Sequence, residues 1–148
     1  RLAAKLLKSG EMEKFGKLMR VSHNGDRVVV FEQGKMLRNP LRYDTQRLSE
    51  LHSRIKKDES GTVLAGEPGK YGCSTPEIDA MVDISLSVGG VFGAQICGAG
   101  FGGCILVACT QEAAPTLIEK LETLYYSKTG KPAHYFPVWP VAGSGIIG

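Results

Sequence analysis

The feature that most constrains this chain is a glycine-rich segment between two short apolar runs. Gly98-Ala99-Gly100-Phe101-Gly102-Gly103 follows residues 93–97 and precedes residues 104–109. Both runs are typical of strands, so the segment is predicted to be the loop of a β-hairpin. Its Gly-x-Gly-x-x-Gly spacing also occurs in dinucleotide-binding folds, where a helix must follow to bind the pyrophosphate. Because a strand is predicted to follow here, we do not expect a dinucleotide site.

Two other glycine-containing motifs are incomplete in this segment. A Walker A loop requires Gly-Lys followed by Ser or Thr, which is absent. Gly100-Phe101-Gly102 is similar to the core of the RNP1 motif, but Ala99 stands where that motif has a basic residue. Gly103 and Leu106 stand where it has base-stacking aromatic residues. Nucleic acid is therefore not expected as a partner.

The number of small residues in this segment exceeds what a simple turn needs. Five of its six residues are Gly or Ala, and each ordered glycine costs about 0.5–1 kcal/mol of conformational entropy. Such a stretch favours close approach of a ligand, or of another loop that binds one, with Phe101 as the single large side chain. A hairpin turn without a ligand is the alternative.

Composition favours one folded domain. The chain has 148 residues, of which 43% are hydrophobic, and a chain of this size buries roughly 68–70% of its unfolded surface. The net charge of +3 is small for a nucleic-acid-binding protein. No apolar run approaches the ~20 residues of a membrane-spanning helix, and residues 1–5 lack the apolar core of a signal peptide. We expect a soluble, cytoplasmic protein without a membrane partner. Because a helical pattern is already present at Arg1, we expect a piece of a longer chain.

The four cysteines do not have the spacing of a metal or redox motif. They are Cys73, Cys97, Cys104 and Cys109, and no two form a Cys-x-x-Cys pair. The sequence therefore predicts four buried, reduced thiols that pack as small apolar side chains.

Hydrophobic spacing predicts two helices at the start of the chain, over residues 2–7 and 15–19. The second should end near residues 22–25, because Asn24-Gly25 is a turn signal. Residues 26–70 are predicted to be an insertion or long excursion. A strand at residues 28–31 and a helix at 45–55 are expected within it.

A third helix is predicted to begin after Ser74, which can cap it, with Pro76 in its first turn and Gly89-Gly90 as its stop. Residues 104–109 are predicted to be a buried central strand. Residues 111–128 are predicted to form an amphipathic helix.

The last predicted element is a strand at residues 134–141, placed at a sheet edge by its prolines. Taken together, the order of elements predicts an α+β fold. Helices would cover one face of an antiparallel sheet in a two-layer sandwich of the ferredoxin-like kind.

Three segments then resemble one family. Residues 93–105, which contain the glycine-rich segment, resemble the third conserved motif of the GHMP small-molecule kinases in its galactokinase form. Residues 15–23 resemble the galactokinase stretch Phe-Gly-x-Leu-Met-x-x-Ser-His. Residues 71–79 resemble the stretch that carries Cys-Pro-Glu-Leu-Asp at a helix start. The segment from Lys128 to Gly145 also fits.

The resemblance implies the C-terminal domain of a galactokinase-like sugar kinase. The full enzyme would transfer the γ-phosphoryl group of ATP to a hydroxyl of a galactose-like sugar, at the anomeric carbon. In that family ATP and Mg²⁺ are bound mainly by the N-terminal half, which also supplies the catalytic aspartate. That half is therefore the implied partner, together with the sugar and ATP. No catalytic residue or metal ligand carries over to these 148 residues, so alone they are expected to be inactive.

The site residues implied by the resemblance are those of the glycine-rich segment, from Gly98 to Gly103, at the cleft between the two halves. Ser22 and His23 are implied to end a helix near the same cleft. The capping of that helix end by two polar groups is an equally open interpretation of this pair.

Residues 26–70 depart from the family pattern, because galactokinases connect the same two motifs by a much shorter path. This departure leaves the sugar open, with a uronic acid or arabinose as further candidates. Four basic residues could face an acidic substrate or form a solvated surface. They are Lys35, Arg38, Arg42 and Arg47.

Two functions outside this family also stay open. A stand-alone ferredoxin-like module could bind a metabolite through the same glycine-rich segment without catalysis. A structural subunit could instead pack its apolar face on another chain.

Overall fold

Helices flank two short β-hairpins along the described part of the chain. The computed structural model of the protein describes residues 2–39, 43–57, 64–99 and 103–139. The helices are α1 (Leu2–Lys8), α2 (Met12–Asp26), α3 (Thr45–Lys56), α4 (Pro76–Leu86) and α5 (Ala114–Leu121). The strands are β1 (Val29–Glu32), β2 (Lys35–Arg38), β3 (Val91–Ile96) and β4 (Ile105–Cys109). A single 3-10 turn covers Leu64–Gly66.

The predicted α+β class is confirmed, with a difference in the sheet. The described residues form two antiparallel sheets of two strands each, β1 with β2 and β3 with β4, rather than one sheet. In the second hairpin, Ile96 lies opposite Ile105 and Gln95 opposite Leu106. None of the described helices is long and apolar enough to cross a membrane.

Helix α2 crosses β3 at a point where two glycines meet. A Cβ added to Gly16 would lie 2.0 Å from the carbonyl oxygen of Phe92. A Cβ added to Gly93 would lie 2.6 Å from the Cα of Gly16. Since no larger residue fits either position, the glycine of the Phe-Gly-x-Leu-Met stretch lets two backbones touch.

Helix α4 lies at the centre of the packing. Its apolar side chains contact β3 on one side and α5 on the other. The buried core comprises Ile78, Ala80, Met81, Ile84, Val88, Ile96, Ala113, Leu117, Leu121 and Tyr125.

The sequence predicted Ser74 as the N-cap of α4, but the residue that caps this helix is Thr75. The Thr75 hydroxyl accepts a hydrogen bond from the backbone N–H of Ile78 at 3.4 Å. Ser74 is buried instead, and its N–H donates to the carbonyl of Asp26. This bond holds Ser74 against the end of α2, so the N-cap of α4 is one residue later than predicted.

Strand β1 is joined to α4 by carboxylate groups. Asp79 Oδ2 accepts from the backbone N–H groups of Val28 and Val29, both at 2.8 Å. Asp83 Oδ2 accepts from the N–H of Phe31 at 2.7 Å. The start of the segment predicted as an excursion is therefore hydrogen-bonded directly to the central helix.

The predicted turn at Asn24-Gly25 is wrong, because both residues lie inside α2. Gly25 packs against another backbone, and a Cβ there would lie 3.0 Å from the N of Gly69. The turn follows later, at Gln33-Gly34, where both φ angles are positive (48° and 78°). Such a pair closes a tight hairpin, and it produces the strand β2, which the sequence did not predict.

The helix predicted at residues 111–128 is confirmed with an irregularity. After α5, the chain continues through a π-helical segment at Glu122–Tyr126 and a last turn at Ser127–Thr129. Gly130 ends it in a left-handed conformation, with φ of 65°.

Two predicted strands differ from the structure. Strand β4 is not a buried central strand, because β3 is its one partner among the described residues, and Leu106 is 44% exposed. Residues 134–139 form no strand. The rest of that predicted strand, residues 140–141, lies outside the described residues.

Candidate functional site

The glycine-rich segment connects β3 to β4, as predicted. Gly98, Ala99 and Gly103 are exposed, whereas the predicted site residues Gly100, Phe101 and Gly102 lie outside the described residues. The chain leaves β3 through Gly98 at a φ of 68°, in the left-handed region that favours glycine. A Cβ at Gly98 would meet nothing within 4 Å. The backbone at the start of this loop is therefore open to another molecule.

The buried side chain of His23 is hydrogen-bonded to the end of the strand from which this loop leaves. Its side chain is 1% exposed, and its Nδ1 accepts a hydrogen bond from the N–H of Ile96 at 3.3 Å. Because Nδ1 acts as an acceptor, we place the ring proton on Nε2. Ile96 lies two residues before Gly98, so α2 positions the strand end from which the loop departs. The sequence placed His23 near a cleft, but burial closes it to a ligand; the adjacent Ser22 is exposed.

The other side of His23 faces a buried carboxylate. His23 Nε2 lies 3.3 Å from Asp79 Oδ1, an ion-pair distance, and within the described ranges neither atom meets the geometry of a hydrogen bond. Burial raises the pKa of Asp79, but the polar side chains of His23 and Ser74 and the hydrogen bonds from the N–H groups of Val29 and Val28 outweigh it. The pKa therefore lies below its ordinary value. An ionised Asp79 thus joins α2, α4 and β1 beneath the loop.

A cavity of about 350 Å³ opens where Gly103 meets the start of α4. Its polar lining includes Thr75, Glu77 and Lys131. The Glu77 N–H and the Thr75 hydroxyl lower the pKa of Glu77, and the charge of Lys131 adds to this. The complete lining is Thr75, Glu77, Ile78, Met81, Gly103, Tyr125, Tyr126, Lys131 and Pro132.

Sequence reasoning did not find this cavity, because its walls come from three separated segments. The one available signal was Lys131, a cation directly after the glycine that ends a helix. An ionised carboxylate, a cation and hydroxyl groups around one cavity suit a small polar ligand that carries hydroxyl groups.

Of the four candidate basic residues in the predicted excursion, residues 26–70, three are described by the structure. Arg47 donates to Glu67 at 2.6 Å, so a carboxylate of this chain already neutralises it. Lys35 and Arg38 are exposed on β2, and Arg42 lies outside the described residues. The described ranges also contain no group of three or more His, Cys, Asp or Glu side chains that could hold a metal ion.

The cysteine prediction is wrong for the two thiols that flank the loop. Cys97 and Cys104 are exposed, while Cys73 and Cys109 are half-buried. The first two lie just outside the strands, directly after the end of β3 and directly before the start of β4.

Comparison with known proteins gives one family. Residues 44–127 match the family model described as GHMP kinases C terminal. The galactokinase of Roseiflexus sp. (strain RS-1) is 35% identical over 100 residues, which is 68% of this chain and 22% of that protein. The galactokinases of Bos taurus and Homo sapiens are each 38% identical, over 56 and 55 residues, or 38% and 37% of this chain. The matched residues cover 14% of the length of each of those two proteins.

Proposed function

This chain belongs to the family of GHMP kinase C-terminal domains, and we propose that it is the C-terminal domain of a sugar kinase. The full enzyme transfers the γ-phosphoryl group of ATP to a hydroxyl of a galactose-like monosaccharide, at the anomeric carbon. The similarity to galactokinases supports this substrate class. The partner of this domain is the N-terminal half of the same kinase.

The observation that carries the proposal is the position of the loop between β3 and β4. Its first residues, Gly98 and Ala99, are exposed and almost without side chains, and His23 fixes the strand end from which they leave. Phosphoryl transfer depends on positioning and on stabilisation of charge more than on covalent chemistry by the protein. A loop of this kind brings backbone N–H groups close to phosphate oxygens without steric hindrance.

The cavity beside Gly103 supports a small ligand with hydroxyl groups. Its volume of about 350 Å³ falls within the range of small-molecule sites. Glu77 offers a hydrogen-bond acceptor and Lys131 a donor on its wall. In the assembled enzyme we place the loop and this cavity on the wall of the cleft that closes over the reacting groups.

ATP and Mg²⁺ are held mainly by the N-terminal half in this proposal. Bound MgATP supplies the phosphoryl group and neutralises part of its charge. The residues of this chain would position the loop, exclude water and bind polar groups at the edge of the cleft. The 148 residues alone are therefore expected to show no ATP-dependent phosphorylation of sugars, and detectable turnover by them would contradict this division.

The test uses the full-length protein with ATP and a panel of galactose, arabinose and uronic acids. Gly98→Ala is compared with Gly34→Ala, because both glycines have positive φ (68° and 78°) and open space around a Cβ. The two variants carry a similar backbone strain of about 1–2 kcal/mol. Only Gly98→Ala should lower kcat, by about tenfold or more, because it displaces the loop.

Two results would count against the proposal. A folded full-length protein that phosphorylates no sugar would contradict the kinase function and favour a metabolite-binding module. An equal kcat for the two glycine variants would show that the loop is only a hairpin turn.

A further inference from the structure

Two exposed cysteines face each other at the base of the glycine-rich loop. Ile96 and Ile105 are the last paired residues of the β3–β4 ladder, so Cys97 and Cys104 are the next residues on each strand. The N–H of Cys97 donates to the carbonyl of Cys104 at 2.9 Å, which extends the ladder by one step. Residues directly opposite in an antiparallel ladder have their side chains on the same face.

This position is compatible with the backbone spacing that a disulfide needs. Hydrogen-bonded pairs in antiparallel ladders have Cα atoms about 5.5 Å apart, which lies within the ~4.4–6.8 Å that a disulfide needs. The neighbouring Cys104 thiol raises the pKa of the Cys97 thiol, as expected for two side chains on the same face of the ladder. Both side chains are exposed, so a small oxidant can reach them.

We propose that Cys97 and Cys104 form a reversible disulfide across the base of the loop in the presence of glutathione disulfide. The thiolate of one cysteine attacks a sulfur of glutathione disulfide, which breaks its S–S bond and releases one glutathione. The second cysteine then attacks the protein sulfur of this mixed disulfide and releases the second glutathione. Two protein thiols are oxidised, one glutathione disulfide is reduced, and the two thiol protons leave with the two glutathione molecules.

The other two cysteines are in different surroundings. The Cys73 thiol donates to Asp26 Oδ1 at 3.2 Å, and Cys109 is half-buried at the far end of β4. The disulfide should therefore form between Cys97 and Cys104 alone. This inference concerns the thiols of the chain itself and does not depend on the kinase activity proposed above.

The experiment counts free thiols in the full-length protein that carries this chain. The folded protein is incubated with glutathione disulfide at about pH 8.5, near the ordinary cysteine pKa. Remaining thiols are then alkylated under denaturing conditions. No Lys or Arg occurs between Lys70 and Lys120, so trypsin leaves all four cysteines in one peptide. The mass of this peptide reports the state of these four cysteines even if the rest of the protein contains others. It does not show which two are bonded, so variants must locate the bond.

The double variant Cys73→Ser/Cys109→Ser keeps the pair, while Cys97→Ser and Cys104→Ser each remove one partner. We expect wild type and the double variant to lose two alkyl groups from the peptide and to regain both after dithiothreitol. Each single variant should form at most a mixed disulfide with glutathione. If the Cys97→Ser peptide loses two alkyl groups and carries no bound glutathione, another pair is bonded and the assignment is overturned. Full alkylation of the wild type after oxidation would also overturn it. Unchanged melting temperatures of the reduced variants control for folding.

Discussion

The two β-hairpins of this chain differ in what holds them in place. The β3–β4 hairpin lies under α2 and α4, with Ala94 fully buried and a glycine contact between backbones. In the β1–β2 hairpin, β1 is bound to α4 by carboxylates and packs Phe31 against the core, whereas every residue of β2 is exposed. Packing therefore fixes both strands of the hairpin that carries the glycine-rich loop, whereas polar bonds and one partly buried aromatic ring fix a single strand of the other.

This difference matches the demands on a site that positions phosphate groups. Close packing tolerates little displacement, because interiors are as dense as organic crystals. A loop at the end of such a hairpin inherits a fixed starting point, which catalysis by positioning requires. If packing at β3 contributes more to stability than polar contacts elsewhere, variants that disturb this packing should have the largest effects.

Gly16→Ala should be the most destabilising single change in the described part of the chain. The added Cβ would lie 2.0 Å from a backbone carbonyl, so α2 must move away from β3. We expect a loss of roughly 3–5 kcal/mol in the free energy of opening. Hydrogen exchange of the β3 amides in the full-length protein measures this quantity for the domain.

The matched control for this change is Gly89→Ala, where an added Cβ meets nothing within 4 Å and φ is not positive. It should change the free energy of opening by less than about 0.5 kcal/mol. Equal exchange rates in the two variants would mean that the close contact of α2 with β3 does not limit stability.

Asp79→Asn should have the next largest effect at neutral pH. The amide keeps the shape of the side chain but loses the charge that faces His23 and the N–H groups of β1. We expect a loss of about 2–3 kcal/mol. Glu119→Gln, at an exposed position of α5, is a suitable control for replacement of a carboxylate by an amide.

The same variant predicts a pH dependence. The folded-state pKa of Asp79 lies below its ordinary value of 3.8. Its stabilising contribution is therefore complete above that value and is lost as pH falls through the lower, folded-state pKa. The stability difference between wild type and Asp79→Asn should shrink as the pH is lowered below about 4. A difference that stays constant from pH 6 to pH 2.5 would contradict the assignment of an ionised Asp79.

The sequence was sufficient for the elements that bury an apolar stripe. Helices α2, α4 and α5 and both strands of the second hairpin follow from hydrophobic spacing and from the glycine punctuation. Strand β2 could not be found this way, because Lys35–Arg38 is exposed throughout and exists because of the Gln33-Gly34 turn. Its hydrophobic pattern carries no information about burial.

In the candidate site, too, local sequence features could be predicted and long-range contacts could not. The glycine-rich segment was visible in the sequence because its composition is locally unusual. The role of His23 was not, since it depends on Ile96, 73 positions away. The exposure of Cys97 and Cys104 was missed for a similar reason, because a residue type alone does not show that both positions lie just outside the paired strands.

His23→Ala tests the link between α2 and the loop. The N–H of Ile96 loses its acceptor, and the Asp79 carboxylate loses the ring that faces it at 3.3 Å, which should cost about 1–3 kcal/mol locally. Exchange of the Ile96 amide should become faster than that of Ala94, and kcat of the full enzyme should fall more than KM changes. Ser22→Ala is the matched control, because Ser22 is the exposed neighbour on the same helix turn.

The smallest effect is expected in the excursion, at Glu67. This carboxylate accepts from Arg47 at 2.6 Å and from Arg54 at 2.8 Å. It thereby holds α3, which has no buried residue, against the following segment. The arginines are exposed enough for water and salt to weaken the pairs, so Glu67→Gln should cost about 1 kcal/mol or less. Hydrogen exchange should become faster in α3 and stay unchanged in β3. A simultaneous change in β3 would show that α3 and the β3–β4 hairpin are coupled, and that the polar contacts of Glu67 contribute to the fixed position of the loop.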